Sequence, residues 1–465
     1  VHLQAEPASP PTVWSESRRL IPRLVVRPLL RFMELEASSA AVMLGAAVLA
    51  VVWANSAFAD GYTAVFDTAV RLSFGTWHPL GALTVREWVN DGAMTLFFFV
   101  VALEIKRELV HGELRRPAAA ALPVLAAVGG MVVPAVIYLS FTAGTAGASG
   151  WGVPMATDIA FAVAVVTAAG SRVPPAARVF LLTLAIADDL GAIVVIALFY
   201  AGHLAVLPLL GALATVGVAW LLQRGHVRAL TPYVLLGIGC WVLLHHSGVH
   251  PTLAGVAFGL LTPAWPWYDA TQFAQRARAQ ARAVEDATSA ATCADPTAAR
   301  ALTADQLDSV RSAVRETVRL AHEALPPLDR IQARLSALVS FVVVPVFALA
   351  NAGFSLSGRG SMSHDAALVT AGVGVGLVAG KTLGIFGTTW VVTRLPGLTL
   401  PSGTRWTHLL GLSLCAGIGF TVALFVGDIA FSDAGLGEAA KLGIFTGSVV
   451  SGLAGFIALR CCRPR

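Results

Sequence analysis

Apolar runs of about 20 residues, the length at which a helix crosses roughly 30 Å of hydrocarbon, follow one another along nearly the whole 465-residue chain. With 56% of residues hydrophobic, 13% charged and a mean hydropathy of +0.73, the composition suits a bilayer. The length supplies about a dozen spans and leaves nothing long and polar enough for a separate soluble domain. Runs bounded by charges and breakers begin near Ala37, Trp88, Ala118, Trp151, Ala176, Leu204, Pro232, His250, Arg334, Ala366, Trp406 and Gly437. They predict an all-α membrane protein with twelve transmembrane helices. The ambiguous stretch is Pro232 to Pro263, broken by His246-Ser-Gly-Val-His-Pro251, which reads as one span with a remnant or as two short spans.

Parity decides between these. With two spans there, both termini face the cytoplasm. The inside segments then collect Arg18, Arg19, Arg23, Arg27, Arg31, Lys106, Arg107, Arg115, Arg116, Arg172, Arg178, Arg224, Arg228, Arg394, Arg405, Arg460, Arg463 and Arg465. The outside segments hold only Arg71, Arg86, Arg359 and Lys441. A pI near 9.2 is therefore read as orientation in a membrane rather than as a nucleic-acid surface. The expected organisation is a cytoplasmic extension (1–36), helices 1 to 8 (37–263), a cytoplasmic loop (264–332), helices 9 to 12 (333–460) and a short cytoplasmic tail (461–465). Residues 1–36 are Pro- and Arg-rich without an apolar core, so no cleavable signal is expected. The five cysteines form no framework and are expected to be free thiols. In the second half of the loop, Thr303 and Gln306 suggest a capping box, and Leu307, Val310, Val314, Val318, Ala321 and Leu325 keep helical spacing beside Arg311, Arg315 and Arg319. That helix is expected to lie on lipid headgroups or on the protein's own surface.

Charges inside the apolar runs carry the functional signal. Asp188 and Asp189 are adjacent in Val179 to Tyr200, Asp158 follows Thr157 in Gly152 to Ala164, and Lys381 sits in Gly376 to Gly384. Three acids and one base at membrane depth cost on the order of 10 kcal/mol on insertion scales, so they should converge on an internal cavity. Neighbouring side chains on a helix point about 100° apart, which lets one aspartate line an ion path while the other meets a cation such as Lys381. A purely structural ion pair is the alternative for Lys381, and Gly376, Gly380 and Gly384 permit a close neighbour on either reading. Two runs look interrupted, one at Pro154 and Thr157-Asp158, the other at Cys415-Ala-Gly-Ile-Gly-Phe-Thr421. The topology makes them antiparallel, as inverted repeats require. Asp158 would offset the positive helix N-termini at such breaks and Lys381 the negative C-termini. No nucleotide-binding G-x-x-x-x-G-K-[ST] is present, so an ion gradient should supply the driving force.

Eight stretches in order then resemble the bacterial NhaA-type sodium/proton antiporters. They are Trp88-Val-Asn-Asp-Gly-Ala-Met with Leu103 to Leu109, Ala156 to Ala162, Gly170 to Pro174, Leu184 to Ile193, Ser247-Gly-Val-His with Thr252 to Gly255, Ala348 to Gly353, Gly380-Lys381, and Gly417 to Thr421. The resemblance covers about residues 38 to 460. It implies twelve helices with inverted repeats and two crossed discontinuous helices, an inner-membrane homodimer, and electrogenic export of Na+ or Li+ for external protons. It implies that Asp188, Asp189 and Thr157 mark the ion site, with Na+ at the two aspartates and with Asp158 and Lys381 compensating the helix ends. It further implies pH sensing by Glu104, Arg107 and Glu108 and by His250, the three on the second helix being otherwise readable as an ordinary salt-bridged helix end. Transported ions are the only small species expected, with no cofactor, no nucleotide, no nucleic acid and no enzymatic step; membrane lipid and a second copy are the expected partners.

Two departures from the family stand out. Residues 264–332 are longer than its usual link, and the N-terminus is extended. The family places a dimerising β-hairpin at Ala64 to Val85, where the strand pattern here is weak. His246 and His250 have metal-ligand spacing, but Gly248 and Pro251 should break that helix. An intramembrane aspartyl protease would need a G-x-G-D signature, which is absent. A sodium-coupled organic-anion symporter on a related fold is the remaining alternative, and the Asp188-Asp189 pair with Lys381 favours cation/proton exchange over it.

Overall fold

A computed structural model describes residues 36–71, 80–227, 229–294, 304–355, 363–396 and 398–462. The N-terminal extension, the Thr303 cap, Arg359 and the basic C-terminal tail lie outside them. Inside hydrocarbon no water is available to satisfy a free N–H or C=O, so an apolar run must close its hydrogen bonds within itself. The chain is accordingly mostly helical.

From the N-terminus, α1 (Glu36–Ala54) turns by 117° into the short α2 (Ala59–Phe66). Next comes a two-stranded antiparallel hairpin, β1 (Ala69–Arg71) and β2 (Ala82–Thr84), with Val70 opposite Leu83. The weak strand pattern thus does form a ladder, of three residues a side. A π-helical turn, Trp88–Ala93, leads into α3 (Met94–Val110), followed by α4 (Pro117–Thr142). A 3₁₀ segment, Ala146–Met155, bends by 46° into α5 (Ile159–Ala168); then follow α6 (Pro175–Phe199), α7 (Val206–Arg224), α8 (Leu230–Ser247) and α9 (Leu253–Leu261). The expected break is present, because Gly248 ends α8 at φ 79°, a backbone region that side chains disfavour.

The 264–332 region is a helical hairpin, α10 (Ala270–Ala294) and α11 (Ala304–Ala324). The amphipathic pattern foretold α11. It missed α10, whose Ala- and Arg-rich sequence is a strong helix former without an apolar stripe. Asp269 caps α10 by accepting from the Thr271 hydroxyl at 2.6 Å and the Gln272 N–H at 2.7 Å, which hold its carboxyl below the usual range. The feet of the hairpin meet where Leu328 N–H donates to the Pro263 carbonyl at 3.2 Å.

Three spans with internal breaks complete the chain. α12 (Pro327–Leu338) joins α13 (Val344–Asn351) through a π turn, and α14 (His364–Val375) joins α15 (Lys381–Val392) through another at Gly376–Gly380. α16 (Trp406–Cys415) bends by 46° into α17 (Phe420–Ala430), and α18 (Ala434–Cys461) ends the bundle. The ninth run was expected near Arg334, but its helix starts at Pro327, since hydropathy does not register the polar first turns carrying Asp329 and Arg330. Seven helices are long and apolar enough to cross a membrane, and up to ten spans result if each bent pair counts as one.

The helices sort into two packing groups. In one, α4 packs on α15, α6, α14 and the 3₁₀ segment, and α18 packs on α14, α16 and α17. In the other, α3 pairs with α9, α7 with α8 and α1 with α13. Across the seam α1 meets α5, α3 meets α6 and α13 meets α17. The glycine series before α15 brings α4 close, as a Cβ at Gly380 would stand 2.7 Å from the Cα of Pro134.

Candidate functional site

The two bends face each other within the first group. Between Met155 and Ile159 the chain is extended, and between Cys415 and Phe420 it is unwound. The freed backbone groups are satisfied across the gap: Asp158 N–H donates to the Ile418 carbonyl at 2.6 Å, and the Thr157 hydroxyl donates to the Ala416 carbonyl at 2.8 Å. Such pairing is what lets irregular backbone exist at membrane depth. The Asp158 carboxylate then serves two helix N-termini at once. Its Oδ1 accepts from Phe161 N–H at 3.2 Å, capping α5, and its Oδ2 accepts from the N–H and hydroxyl of Thr421 at 3.1 and 2.6 Å, at the start of α17. A carboxylate belongs there because helix N-termini carry partial positive charge and unpaired N–H groups.

Asp188 and Asp189 lie mid-way along α6, both buried. The Lys381 ammonium, fully buried at the first residue of α15, donates to Asp188 Oδ2 at 2.6 Å. Thr157 is a further polar neighbour of Asp188, whose Oδ1 has no hydrogen-bond partner among the described residues. Asp189, one residue on, makes no hydrogen bond or ion pair among the described residues; the charges acting on it through space are Asp188, Glu104, Asp158 and Lys381. The structure thus brings together Thr157, Asp158, Asp188, Asp189 and Lys381. Lys381 donates to Asp188, and among the described residues no hydrogen bond ties it to a helix C-terminus.

The four other candidates are not one cluster. Glu104, Arg107 and Glu108 sit at the end of α3 beside the helical hairpin, where Arg107 faces Asp329 at 3.6 Å and Lys106 donates to the Leu260 carbonyl at 2.5 Å. His250 lies toward the β-hairpin end, its Nε2 3.8 Å from Asp91, which His245 approaches at 3.7 Å. Asp91 and Glu104 are thirteen residues apart on one helical stretch, roughly 20 Å.

Sequence reasoning passed over a polar set around Asn90, Asn351 and Asp428. Asn90 and Asn351 occur within the motifs quoted above, and Asp428 is a carboxylate in the apolar run of α17, the same signal that exposed Asp188.

Comparison with known proteins gives the family. The family described as Na+/H+ antiporter 1 matches residues 30–459. The chain belongs to that family. Among Na+/H+ antiporter 1 relatives, the Na(+)/H(+) antiporter NhaA of Anaeromyxobacter sp. (strain Fw109-5) is 44% identical over 438 residues, covering 94% of this chain and 92% of the relative. NhaA 2 of Sorangium cellulosum (strain So ce56) is 43% identical, covering 96% and 92%, and NhaA of Rhodopirellula baltica is 42% identical, covering 95% of each. The antiporter family is one of multi-pass membrane proteins, as the spans of this chain require.

Proposed function

We propose that Na+ and H+ compete for the Asp189 carboxylate, and that this competition is the exchange. Family membership makes the chain a sodium/proton antiporter, a kind of transporter. The single observation that carries the residue assignment is the contrast between the two aspartates: Asp188 is neutralised by Lys381 at 2.6 Å, while Asp189 is buried with no hydrogen bond or ion pair among the described residues. A buried, unneutralised carboxylate is unfavourable, and binding either a proton or a cation relieves it. Na+ is a hard cation that takes oxygen ligands, and the free Asp188 Oδ1, the Asp189 carboxylate and the Thr157 hydroxyl supply that chemistry.

The finer reading follows from the same features. Twelve spans result when α3 with its leading turn and the short α9 are added to the ten counted by length. The bent pairs at Asp158 and Thr421 act as two crossed discontinuous helices of inverted repeats, with Asp158 compensating their N-termini and Lys381 holding Asp188. Both termini and the helical hairpin face the cytoplasm of an inner membrane, the β-hairpin end faces outward, and exchange is electrogenic, with Li+ accepted beside Na+. The exposed β1 edge is available to a second copy, which supports a homodimer. Glu104, Arg107, Glu108 and His250 adjust the response to pH.

Proteoliposomes containing only this protein test the reading. An outward Na+ gradient should drive protons inward without any organic solute; Na+ flux that requires an organic anion would mean a symporter instead.

A further inference from the structure

We infer that Asp428 and Asn90 form an outer latch that must part once in every transport cycle. This rests on the exchange reading above, with the carboxylate opened to one side of the membrane at a time, and names the contact that keeps the outward side shut.

Asp428 stands within the last turn of α17, in a run otherwise apolar from Val422 to Ala430. A carboxylate there needs a reason, and the ion site does not use it. Its Oδ2 accepts from the Asn90 amide at 2.6 Å, a hydrogen bond strengthened by the acceptor's charge. Asn90 is held from behind: Asn351 Nδ2 donates to Asn90 Oδ1 at 2.7 Å, Asn90 Nδ2 reaches Asn351 Oδ1 at 3.3 Å, and Asn351 is anchored on the Phe347 carbonyl at 3.1 Å. Both amides are buried, so the donor is fixed in direction before Asp428 meets it.

The two sides of the contact belong to different packing groups. Asn90 is in the turn before α3 and Asn351 ends α13, whereas Asp428 rides on α17, across the seam. Beside the latch the Phe425 ring lies 5.2 Å from Phe98, 5.1 Å from His250 and 6.3 Å from Phe347, all of the opposite group. One polar latch and one aromatic plug therefore close the outer half of the seam. At the other end of the same helix Thr421, its second residue, is bonded to Asp158. A rigid element about 10 Å long thus joins the latch to the ion site, so a change at one end is felt at the other. Glu438 and Lys441 on α18, Arg86 and Asp67 by the β-hairpin, and Asp91, His245 and His250 supply the surrounding charge. Asp428 is exposed to solvent while its partner Asn90 is buried, so water can replace the amide when the groups separate.

The decisive experiment fixes the contact covalently. In a background with Cys240, Cys293, Cys415, Cys461 and Cys462 replaced, the pair Asn90→Cys and Asp428→Cys is oxidised in proteoliposomes. Cross-linking should lower Na+/H+ exchange by about tenfold or more, with recovery on reduction and no response in either single-cysteine protein. Undiminished exchange at complete cross-linking would overturn the latch. A second measurement needs no turnover: with a cysteine at buried Ala423, Asp428→Leu should raise labelling by an impermeant maleimide from outside by about tenfold, while Asp428→Asn, which keeps an acceptor, stays within about twofold. Equal labelling in all three proteins also overturns the latch. Failure of the unmutated protein to exchange at all would instead overturn the reading of the site.

Discussion

Asp188 and Lys381, 193 residues apart in sequence, form a 2.6 Å ion pair that leaves neither side chain more than 1% exposed. The pair joins α6 to α15 and sets the adjacent aspartates apart: Asp188 is paired in place, and buried Asp189 has no hydrogen bond or ion pair among the described residues.

Replacing Asp189 by Asn should abolish exchange and leave the fold intact, because an amide has nearly the same shape but carries no exchangeable charge. Na+-driven proton flux in Asp189→Asn proteoliposomes, beside its thermal unfolding, checks this. Full flux would move the principal ligand elsewhere.

Lys381→Ala should unfold more easily by about 3 to 5 kcal/mol, the cost of stranding a buried carboxylate. Adding Asp188→Asn should recover part of that loss, since the stranded charge is gone. Melting in detergent of the two single variants and the double variant measures the coupling; strictly additive losses would mean that the pair contributes nothing.

Glu108→Gln and His250→Ala should each shift the pH profile of exchange more than its maximum rate. Glu108 lies in the last turn of α3, and the His250 imidazole faces Asp91 in the turn before that helix. With Glu108 about 25 Å along the helical stretch from Asp91, which His250 faces, their shifts should add in the double variant. Unchanged profiles in both single variants would reduce these residues to helix-end packing.

Deleting residues 270–325 should leave exchange measurable. Every intramembrane charge lies outside the hairpin, and the Leu328 to Pro263 bond with the buried Leu103, Ala264 and Leu328 contact holds its feet together without it. The remaining connection is short, and loop length enters closure entropy only weakly, about 0.6 kcal/mol per doubling. A folded deletion protein without exchange at any pH would make the hairpin part of the mechanism. The exposed Leu307, Val314 and Val318, with Arg315 beside them, fit a regulatory contact with anionic lipid, measurable as altered activity when the lipid composition changes.

By itself the sequence determined the membrane class, the breaks at Asp158, Gly248 and Gly417 to Gly419, and the need for Asp158, Asp188, Asp189 and Lys381 to meet inside the protein. These follow from local physics: apolar length, residues that cannot continue a helix, and the cost of charge in hydrocarbon. Tertiary structure alone decided which aspartate takes Lys381, that Asp158 caps two helices, that His250 lies apart from Glu104, and that Asp428 meets Asn90. Each of these depends on helix rotation and on partners up to hundreds of residues distant, set by close packing at glycines such as Gly380 and by π turns that re-aim a face. Hydropathy reads how much of a segment is apolar, and a single carboxylate such as Asp428 barely alters that sum, so its partner emerges only once the helices are packed.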